Sequence, residues 1–230
     1  MAWAGPPFQT DDPEPVPLHH YEINAVAQGT WTQSGRSGAL PLTEINYGGA
    51  PDLQLHAAVP LAFNQAAGGT TQLGIGNAEF GAKYRFVDET DRLPMVATYP
   101  TYILPTGSVA RGLGNGRAQL LLPVWLQKSW GPWTANGGVA YLINHAPGAE
   151  SNWFVGALIQ RQIGQQLRLG LEVFHRSRPS PDLPSSTGFN VGGTYDLDKH
   201  HHLLFSAGCG LLNRQQTNKA SLYFAYQITG

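Results

Sequence analysis

The sequence contains little cysteine, methionine or charge. Cys209 is the single cysteine in 230 residues, which excludes an internal disulfide and a zinc site built on cysteine ligands. Because it occupies an apolar position in a strand-like run, we expect it to pack as a small hydrophobic residue. Charged residues make up 13% of the chain, about half the usual share of a soluble globular protein. The net charge of −1 provides no basic surface to attract nucleic acid.

Long apolar runs are also absent, since no segment reaches the roughly 18 consecutive apolar residues of a transmembrane helix. Mean hydropathy is −0.21, so a low charge content is combined here with moderate polarity. That combination is typical of a β-barrel in which lipid-facing and lumen-facing residues alternate. A complete signal peptide is missing too. We expect residues 1–4 to be the remnant of one, because Ala2-Trp3-Ala4 matches the small-residue cleavage pattern before Gly5.

What the sequence does contain is alternation of apolar and polar residues. In Asn77–Val87, Phe80 and Tyr84 fall on one face, and Lys83 and Arg85 fall on the other. A period of two residues indicates a strand with one apolar and one polar face. At about 3.3 Å per residue and a tilt near 40°, ten residues rise about 25 Å, the height of the apolar band of an outer-membrane barrel. About twelve segments follow this pattern: Tyr21–Thr32, Leu40–Tyr47, Leu53–Phe63, Asn77–Val87, Met95–Pro105, Arg117–Lys128, Trp133–Asn144, Trp153–Gln162, Leu167–Arg176, Gly188–Leu197, His202–Leu211 and Ala220–Thr229.

Short and long connections alternate between these segments. The short ones follow Tyr47, Lys128, Gln162 and Leu197. The long ones are Asn64–Gly76, Gly107–Gly116, the residues after His145, and Ser177–Thr187. This alternation predicts short periplasmic turns, longer extracellular loops and two periplasmic termini. Aromatic residues at the segment ends, such as Trp130 and Trp133 on one side and Trp153 and Phe174 on the other, indicate two interfacial girdles.

We therefore predict an all-β protein, a single closed antiparallel up-and-down transmembrane β-barrel of about 12 strands that covers residues 19–230. A soluble sandwich with ordinary core aromatics is the alternative for the fold. The barrel prediction implies the Gram-negative outer membrane, with its lipid and the barrel-assembly machinery as partners. Pro60, Pro100 and Pro123 fall inside predicted strands, where we expect bulges or register breaks because proline cannot donate a ladder hydrogen bond.

Residues 5–18 form a proline-rich segment that we expect to be a periplasmic arm or a plug in the barrel mouth. Its Asp11, Asp12 and Glu14 are too polar for lipid. Prolines make it stiff and extended, which suits insertion into a lumen.

Twelve polar side chains fall on the lumen face of the predicted strands. On the lipid face, a charged residue would cost up to about 2–4 kcal/mol. The interior could be filled by mutually paired charges, or it could form a polar conduit or pocket. The candidate lumen and transport residues are Glu22, Asn24, Glu44, Asn46, Gln54, His56, Glu79, Lys83, Arg85, Gln119, Arg168 and Glu172.

Other motifs give weaker signals. The glycine-rich Gly112–Gly116 precedes a strand-like run, so a loop fits it better than a phosphate site, which needs a helix after it. His19-His20 and His200–His202 are poor chelators, because adjacent strand residues point to opposite faces. A lipid-modifying enzyme would need His175, Ser177 and Asn190 to converge. We predict no catalytic residue, metal or cofactor.

Six passages are distinctive: Gly5–Pro15, Glu44–Gly48, Gly81–Phe86, Leu113–Gly116, Leu126–Trp133 and Thr187–Asn190. Together they resemble the MetA-pathway of phenol degradation family of Gram-negative outer-membrane proteins. The resemblance implies a transporter-like outer-membrane β-barrel and a small hydrophobic or aromatic solute. One departure is the C-terminus, Gln227–Gly230, where outer-membrane barrels usually end in an aromatic residue; Tyr226 could replace it.

These observations lead us to expect an outer-membrane channel or transporter for small, hydrophobic or aromatic compounds. The alternatives are a lipid-modifying enzyme of the outer membrane, and a structural barrel whose lumen is filled. No enzymatic activity is expected under the leading interpretation.

Overall fold

The computed structural model describes residues 7–230, which form one closed antiparallel sheet. Its strand segments are β1 (Tyr21–Thr32), β2 (Gly35–Ala50), β3 (Leu53–Ala66), β4 (Gln72–Ile75), β5 (Glu79–Val87), β6 (Met95–Thr98), β7 (Thr101–Ile103), β8 (Gln119–Trp130), β9 (Trp133–Asn144), β10 (Asn152–Gln162), β11 (Leu167–Arg176), β12 (Ser186–Asp196), β13 (His201–Leu212) and β14 (Ala220–Thr229). A 3-10 turn at Val109–Arg111 and a short helix α1 at Arg214–Thr217 interrupt two connections. Neither these nor any other helix among residues 7–230 is a candidate to cross a bilayer.

The fourteen segments occupy twelve strand positions. Both β4 and β5 pair with β3, and both β6 and β7 pair with β5 on one side and β8 on the other. The barrel closes where β1 pairs with β14, from Glu22 opposite Thr229 to Trp31 opposite Ala220. All other pairings join strand positions that are consecutive along the chain. The prediction of an all-β, up-and-down barrel of about 12 strands is therefore confirmed.

The prolines account for the interrupted positions. Pro60 lies opposite Leu42, next to a register shift in the β2–β3 pairing, and β4 and β5 separate beside it. Pro100 separates β6 from β7. Pro123 pairs with Ala140 of β9 without a register shift. The break at Pro100 lies on the opposite edge of β8, where β6 and β7 pair with it. The expected irregularities are present at Pro60 and Pro100, where proline cannot donate to the ladder. Pro123 causes no register shift in its own strand.

Most connections at one end of the barrel are longer than those at the other end. We call the end that holds Tyr21 and Thr229 the terminal end, and its turns are 51–52, 88–94, 131–132, 163–166 and 197–200. At the opposite end, the loop end, the connections are 33–34, 67–71, 104–118, 145–151, 177–185 and 213–219. The prediction of one long loop over Asn64–Gly76 was wrong, because β3 continues to Ala66 and β4 pairs with it. With only four residues, β4 is too short for its alternation to distinguish a strand from a loop.

Side chains on opposite faces of the wall differ sharply in burial. On β11, Leu171 and Val173 are exposed, whereas Glu172 and Phe174 are buried in the interior. The prediction that Phe174 belongs to an interfacial girdle was therefore wrong. The outward rows of exposed apolar residues are what a lipid-facing wall requires. Further members of these rows are Phe80, Val155, Val191, Leu222 and Phe224.

Candidate functional site: the barrel interior

Residues 7–18, which we call the arm, enter the barrel beside Gly48 at the terminal end. Leu18 forms a parallel bridge with Gly48, and the backbone N–H of His19 donates to the Gly48 carbonyl at 2.9 Å. A Cβ atom at Gly48 would lie 1.9 Å from the Pro17 carbonyl oxygen. Glycine at this position therefore lets the arm run directly against β2. Residues 5 and 6 of the predicted segment lie outside the described residues.

Deeper in the barrel, the arm is held by Glu172, near the middle of β11. The Glu172 carboxylate accepts hydrogen bonds from the backbone N–H groups of Gln9, at 3.1 Å, and Thr10. The Asn190 side-chain amide donates to the same carboxylate at 2.6 Å. Glu172 is completely buried. Three donors satisfy a carboxylate that would otherwise be very costly to desolvate.

Glycines in the wall make room for the same part of the arm. A Cβ atom at Gly170 would approach the Phe8 ring to 2.8 Å, and one at Gly156 would approach Thr10 Oγ1 to 2.1 Å. Phe8 and Thr10 are themselves buried. The absence of side chains on β10 and β11 at these points thus creates the space that the arm occupies.

A second polar anchor is Lys83 on β5. Its ammonium donates to Asp11 at 3.1 Å and to Asp12 at 3.4 Å. Both Lys83 and Asp11 are buried. Closer to the terminal end, the Val16 backbone N–H donates to the Gln54 side-chain oxygen at 3.0 Å. The arm is therefore fixed along its length by contacts to strands on different sides of the lumen.

A polar cavity of about 440 Å³ remains between the arm and the wall at the terminal end. His56 Nδ1 lies 2.7 Å from Asn46 Oδ1, and Asn24 donates to Glu44 at 3.3 Å nearby. Six carboxylates and three cationic side chains line the cavity, namely Asp11, Asp12, Glu14, Glu22, Glu44 and Asp196 with Lys83, Arg168 and Lys199. The space available to a solute is thus predominantly acidic.

The structure brings most of the predicted lumen residues to the arm or this cavity. Lys83 and Glu172 contact the arm. The others that line the cavity are Glu22, Glu44, Asn46, Gln54, His56 and Arg168, together with the arm residues Asp11, Asp12 and Glu14. Asn24 reaches this group through Glu44.

Three predicted residues lie elsewhere. Arg85 is at the terminal rim, where it forms ion pairs with Asp52 and Asp88. Glu79 begins β5, opposite Ala58. Gln119 is buried towards the loop end, and neither of its amide atoms has a hydrogen-bond partner among the described residues.

Sequence reasoning missed several residues that hold the arm. Arg176 donates to the Gln9 side chain at 3.2 Å, and its guanidinium lies 5.7 Å from the Phe154 ring centroid. The Ser206 hydroxyl donates to the Pro7 carbonyl at 2.5 Å. Residue parity could have found Arg176, since it shares a face with Glu172. Nothing local indicates that Ser206 contacts a residue so distant in the chain.

Two apolar clusters fill other parts of the interior. Trp125, Phe154 and Phe174 pack together, with ring centroids about 6 Å apart (6.1 and 6.2 Å). They form a buried cluster with Ile103, Leu121, Ala140 and Leu142. A second inward cluster contains Val26, Ala39, Leu42, Ala58, Leu204 and Ala225. The lumen is therefore divided into a polar part at the terminal end and apolar parts beside it.

The longest connection, 104–118, packs onto the interruption between β4 and β5. The Asn77 side chain donates to Asn115 at 2.9 Å and accepts from the Gly107 backbone at 3.1 Å. Leu113 is buried there. The glycine-rich 112–116 lies within this loop after a 3-10 turn, rather than before a helix.

The residues considered for enzymatic chemistry do not converge. His175 is exposed and its Nδ1 lies 2.9 Å from Thr187 Oγ1, whereas Asn190 points inward to Glu172. Ser177 accepts a hydrogen bond from the Trp153 backbone. Residues 7–230 contain no cluster of three or more His, Cys, Asp or Glu side chains placed to bind a metal.

The histidines near the terminal end have local partners. His201 Nδ1 contacts the Tyr226 hydroxyl at 2.6 Å, and His202 Nδ1 contacts Asp196 at 2.7 Å. Asp198 accepts from the backbone N–H groups of His200 and His201, and these hydrogen bonds hold the pKa of its carboxyl below the ordinary value. The cluster therefore organises a turn.

Solved structures with the same fold are outer-membrane barrels. An outer membrane channel from Pseudomonas putida F1 matches with a TM-score of 0.76 and 13% identity, over 95% of this chain and 98% of that one. The NanC porin matches with a TM-score of 0.59 and 7% identity over 91% and 98%, and the KdgM porin with 0.57 and 9% over 91% and 97%. No protein-family model and no curated protein matches the sequence, so the resemblance to the MetA-pathway family stays a prediction. At these identities the comparisons establish the fold, which is that of a twelve-stranded outer-membrane β-barrel.

Proposed function

We propose that the protein is an outer-membrane channel or carrier for small compounds, with residues 7–18 as a plug and both termini in the periplasm. The observation that supports this most directly is the arm itself. It is held inside the lumen by polar contacts to Glu172 and Lys83, beside a cavity that remains unfilled. Connections at the loop end are mostly longer than those at the terminal end, the exceptions being 33–34 and 88–94, and this difference supports the orientation.

A solute that crosses the barrel must pass the arm. The cavity at the terminal end gives it space, but the segment from Phe8 to Pro13 fills the middle of the lumen. Transport through this barrel therefore requires part of the arm to move. Hydrogen bonds and ion pairs can open and re-form as a unit, so a plug held by polar contacts is suited to such movement.

The solute class we propose is small and hydrophobic or aromatic. The inward aromatic residues Trp125, Phe154 and Phe174 offer an apolar surface for such a molecule inside the lumen. The proposed place in the MetA-pathway of phenol degradation family agrees with this class. Outer-membrane lipid around the wall and the barrel-assembly machinery are the further partners of this proposal.

A structural barrel with a filled lumen is the second candidate, and a specific observation favours it. Two inward apolar clusters and the buried arm already fill much of the interior. The channel requires that the arm can move out of the lumen, whereas the filled barrel requires that it cannot.

Reconstitution into lipid bilayers distinguishes the channel from the filled structural barrel. We expect the full chain to show rare, small conductance steps in planar bilayers, and a variant that lacks residues 7–18 to show large, persistent ones. Liposomes loaded with a fluorescent reporter of phenol entry should respond faster with either protein than without. If both the full chain and the deletion variant give no current and no solute flux while still inserted as barrels, the transport proposal is wrong and the filled barrel is supported.

A further inference from the structure

The outward wall carries an apolar groove that transport through the lumen does not explain. It has a volume of about 530 Å³ and crosses strands β12, β13, β14, β1, β2 and β3. Its floor is made by the small residues Ala27, Gly29 and Ala207. Large apolar side chains form its sides: Trp31, Leu40 and Phe63 on one, and Val191, Phe205, Leu222 and Phe224 on the other.

The position of the groove matches one leaflet of a bilayer. It runs from Val191, in the middle of β12, to Trp31, next to the last residue of β1 at the loop end. Ala27 and Trp31 are four residues apart, which is about 13 Å along a strand and close to half of the roughly 25 Å apolar band. An acyl chain of that leaflet could therefore lie in the groove along its whole length.

Basic residues border the loop end of the groove. Arg36 pairs with Trp31 across β1 and β2 and so shares its outward face. The Lys219 backbone N–H donates to the Trp31 carbonyl at 2.7 Å, and the Arg214 guanidinium donates to the Lys219 carbonyl at 3.1 and 3.2 Å. All three side chains are exposed.

No carboxylate balances these cations. Arg36 is hydrogen-bonded to the neutral Gln65 at 2.6 Å, and none of the three forms an ion pair within residues 7–230. The adjoining connections 33–34, 67–71 and 213–219 contain no Asp or Glu. Cations that adjoin an acyl-length apolar groove are complementary to a lipid whose headgroup bears phosphate.

We propose that this groove and its basic rim bind a phosphorylated glycolipid of the outer leaflet, with an acyl chain between Trp31 and Leu222 and a headgroup phosphate at Arg36, Lys219 and Arg214. The choice of leaflet rests on the proposed orientation, in which the loop end faces outward. Binding anchors β1, β2 and β14 at the point where the barrel closes.

The test uses the full chain, purified in detergent and titrated with lipid A or with phosphatidylglycerol while bound lipid is counted by native mass spectrometry. We expect lipid A to bind with a ratio near one and more tightly than phosphatidylglycerol. Arg36→Gln combined with Lys219→Gln should weaken lipid A binding at least tenfold. Arg178→Gln is the matched control, because Arg178 is also at the loop end but pairs with Glu150.

A second variant tests the acyl part. Ala27→Leu with Ala207→Leu fills the floor of the groove from the outward face, so the barrel interior and the arm are not altered. We expect this variant to lose the preference for lipid A while retaining wild-type conductance. Equal affinity for both lipids, or unchanged lipid A binding in both double variants, would overturn the inference. Because the binding assay needs no transport, a protein that binds lipid A but passes no current refutes only the proposed function.

Discussion

Lys83 and Asp11 form an ion pair of 3.1 Å inside the barrel, with side-chain exposures of only 5% and 3%. One partner belongs to the wall and the other to the arm. A buried pair of this kind contributes little net stability while intact, but the removal of one partner costs about 3–5 kcal/mol because the other charge is left unpaired. The pair is therefore suited to fixing the position of the arm, and its loss should destabilise the docked arm before it destabilises the barrel wall.

Lys83→Met should release the arm. Asp11 and Asp12 would lose their cation, and we expect the docked state to weaken by about 3–5 kcal/mol. The open-channel fraction in planar bilayers should rise, together with cleavage of the arm by protease in folded barrels. Lys128→Met is the control, because Lys128 also pairs with a carboxylate, Glu89 at 3.3 Å, but at the terminal turns.

A compensating variant makes that result specific. Adding Asp11→Asn to Lys83→Met removes one of the unpaired charges, so part of the docking should return. If Lys83→Met stays closed and its arm stays protected, the ion pair does not hold the arm.

Gly156→Val should displace the arm by sterics alone. A Cβ at this position would lie 2.1 Å from Thr10 Oγ1, so Thr10 must move, and we expect its backbone hydrogen bond to Glu172 to weaken. We expect faster arm proteolysis with the barrel still resistant to SDS at room temperature. Gly137→Val is the matched control, since an added Cβ there meets only the Gly156 carbonyl oxygen, at 3.4 Å. Equal protection of the arm in both variants would contradict this account.

The strands were predictable from the sequence, whereas the contents of the lumen were only partly so. Alternation of side chains reports which face is apolar, and it placed Lys83 and Glu172 inside because lipid excludes charge. It could not show that Glu172 meets Gln9, 163 residues away, because no local pattern encodes that contact. Phe174 was assigned to a girdle from its position near the end of a strand, although it has the same parity as Glu172 and so points into the barrel.

Ion selectivity should follow from the charges that line the cavity. Carboxylates outnumber cationic side chains there by six to three, so cations should be enriched in it. In a KCl gradient we expect the full chain to give a reversal potential of the sign for K⁺ selectivity. The arm deletion should be less selective, because it removes the carboxylates of Asp11, Asp12 and Glu14. Glu22→Gln with Glu14→Gln should shift it towards zero, and Asp182→Asn, in the loop 177–185, should not. Anion selectivity in the wild type would show that charges outside this cavity determine the ion selectivity.

Labelling with cysteine tests the orientation on which both proposals depend. In a Cys209→Ser background, Asp182→Cys places a thiol in a loop-end connection, and Lys199→Cys places one in a terminal-end turn. Both side chains are exposed, so neither change should disturb the wall. In intact cells, a maleimide coupled to a large polymer should react with the thiol at 182 and reach the thiol at 199 only after the outer membrane is permeabilised. The reverse pattern would put the termini outside, and would assign the groove beside Trp31 to the inner leaflet, where a phosphorylated glycolipid of the outer leaflet could not reach it.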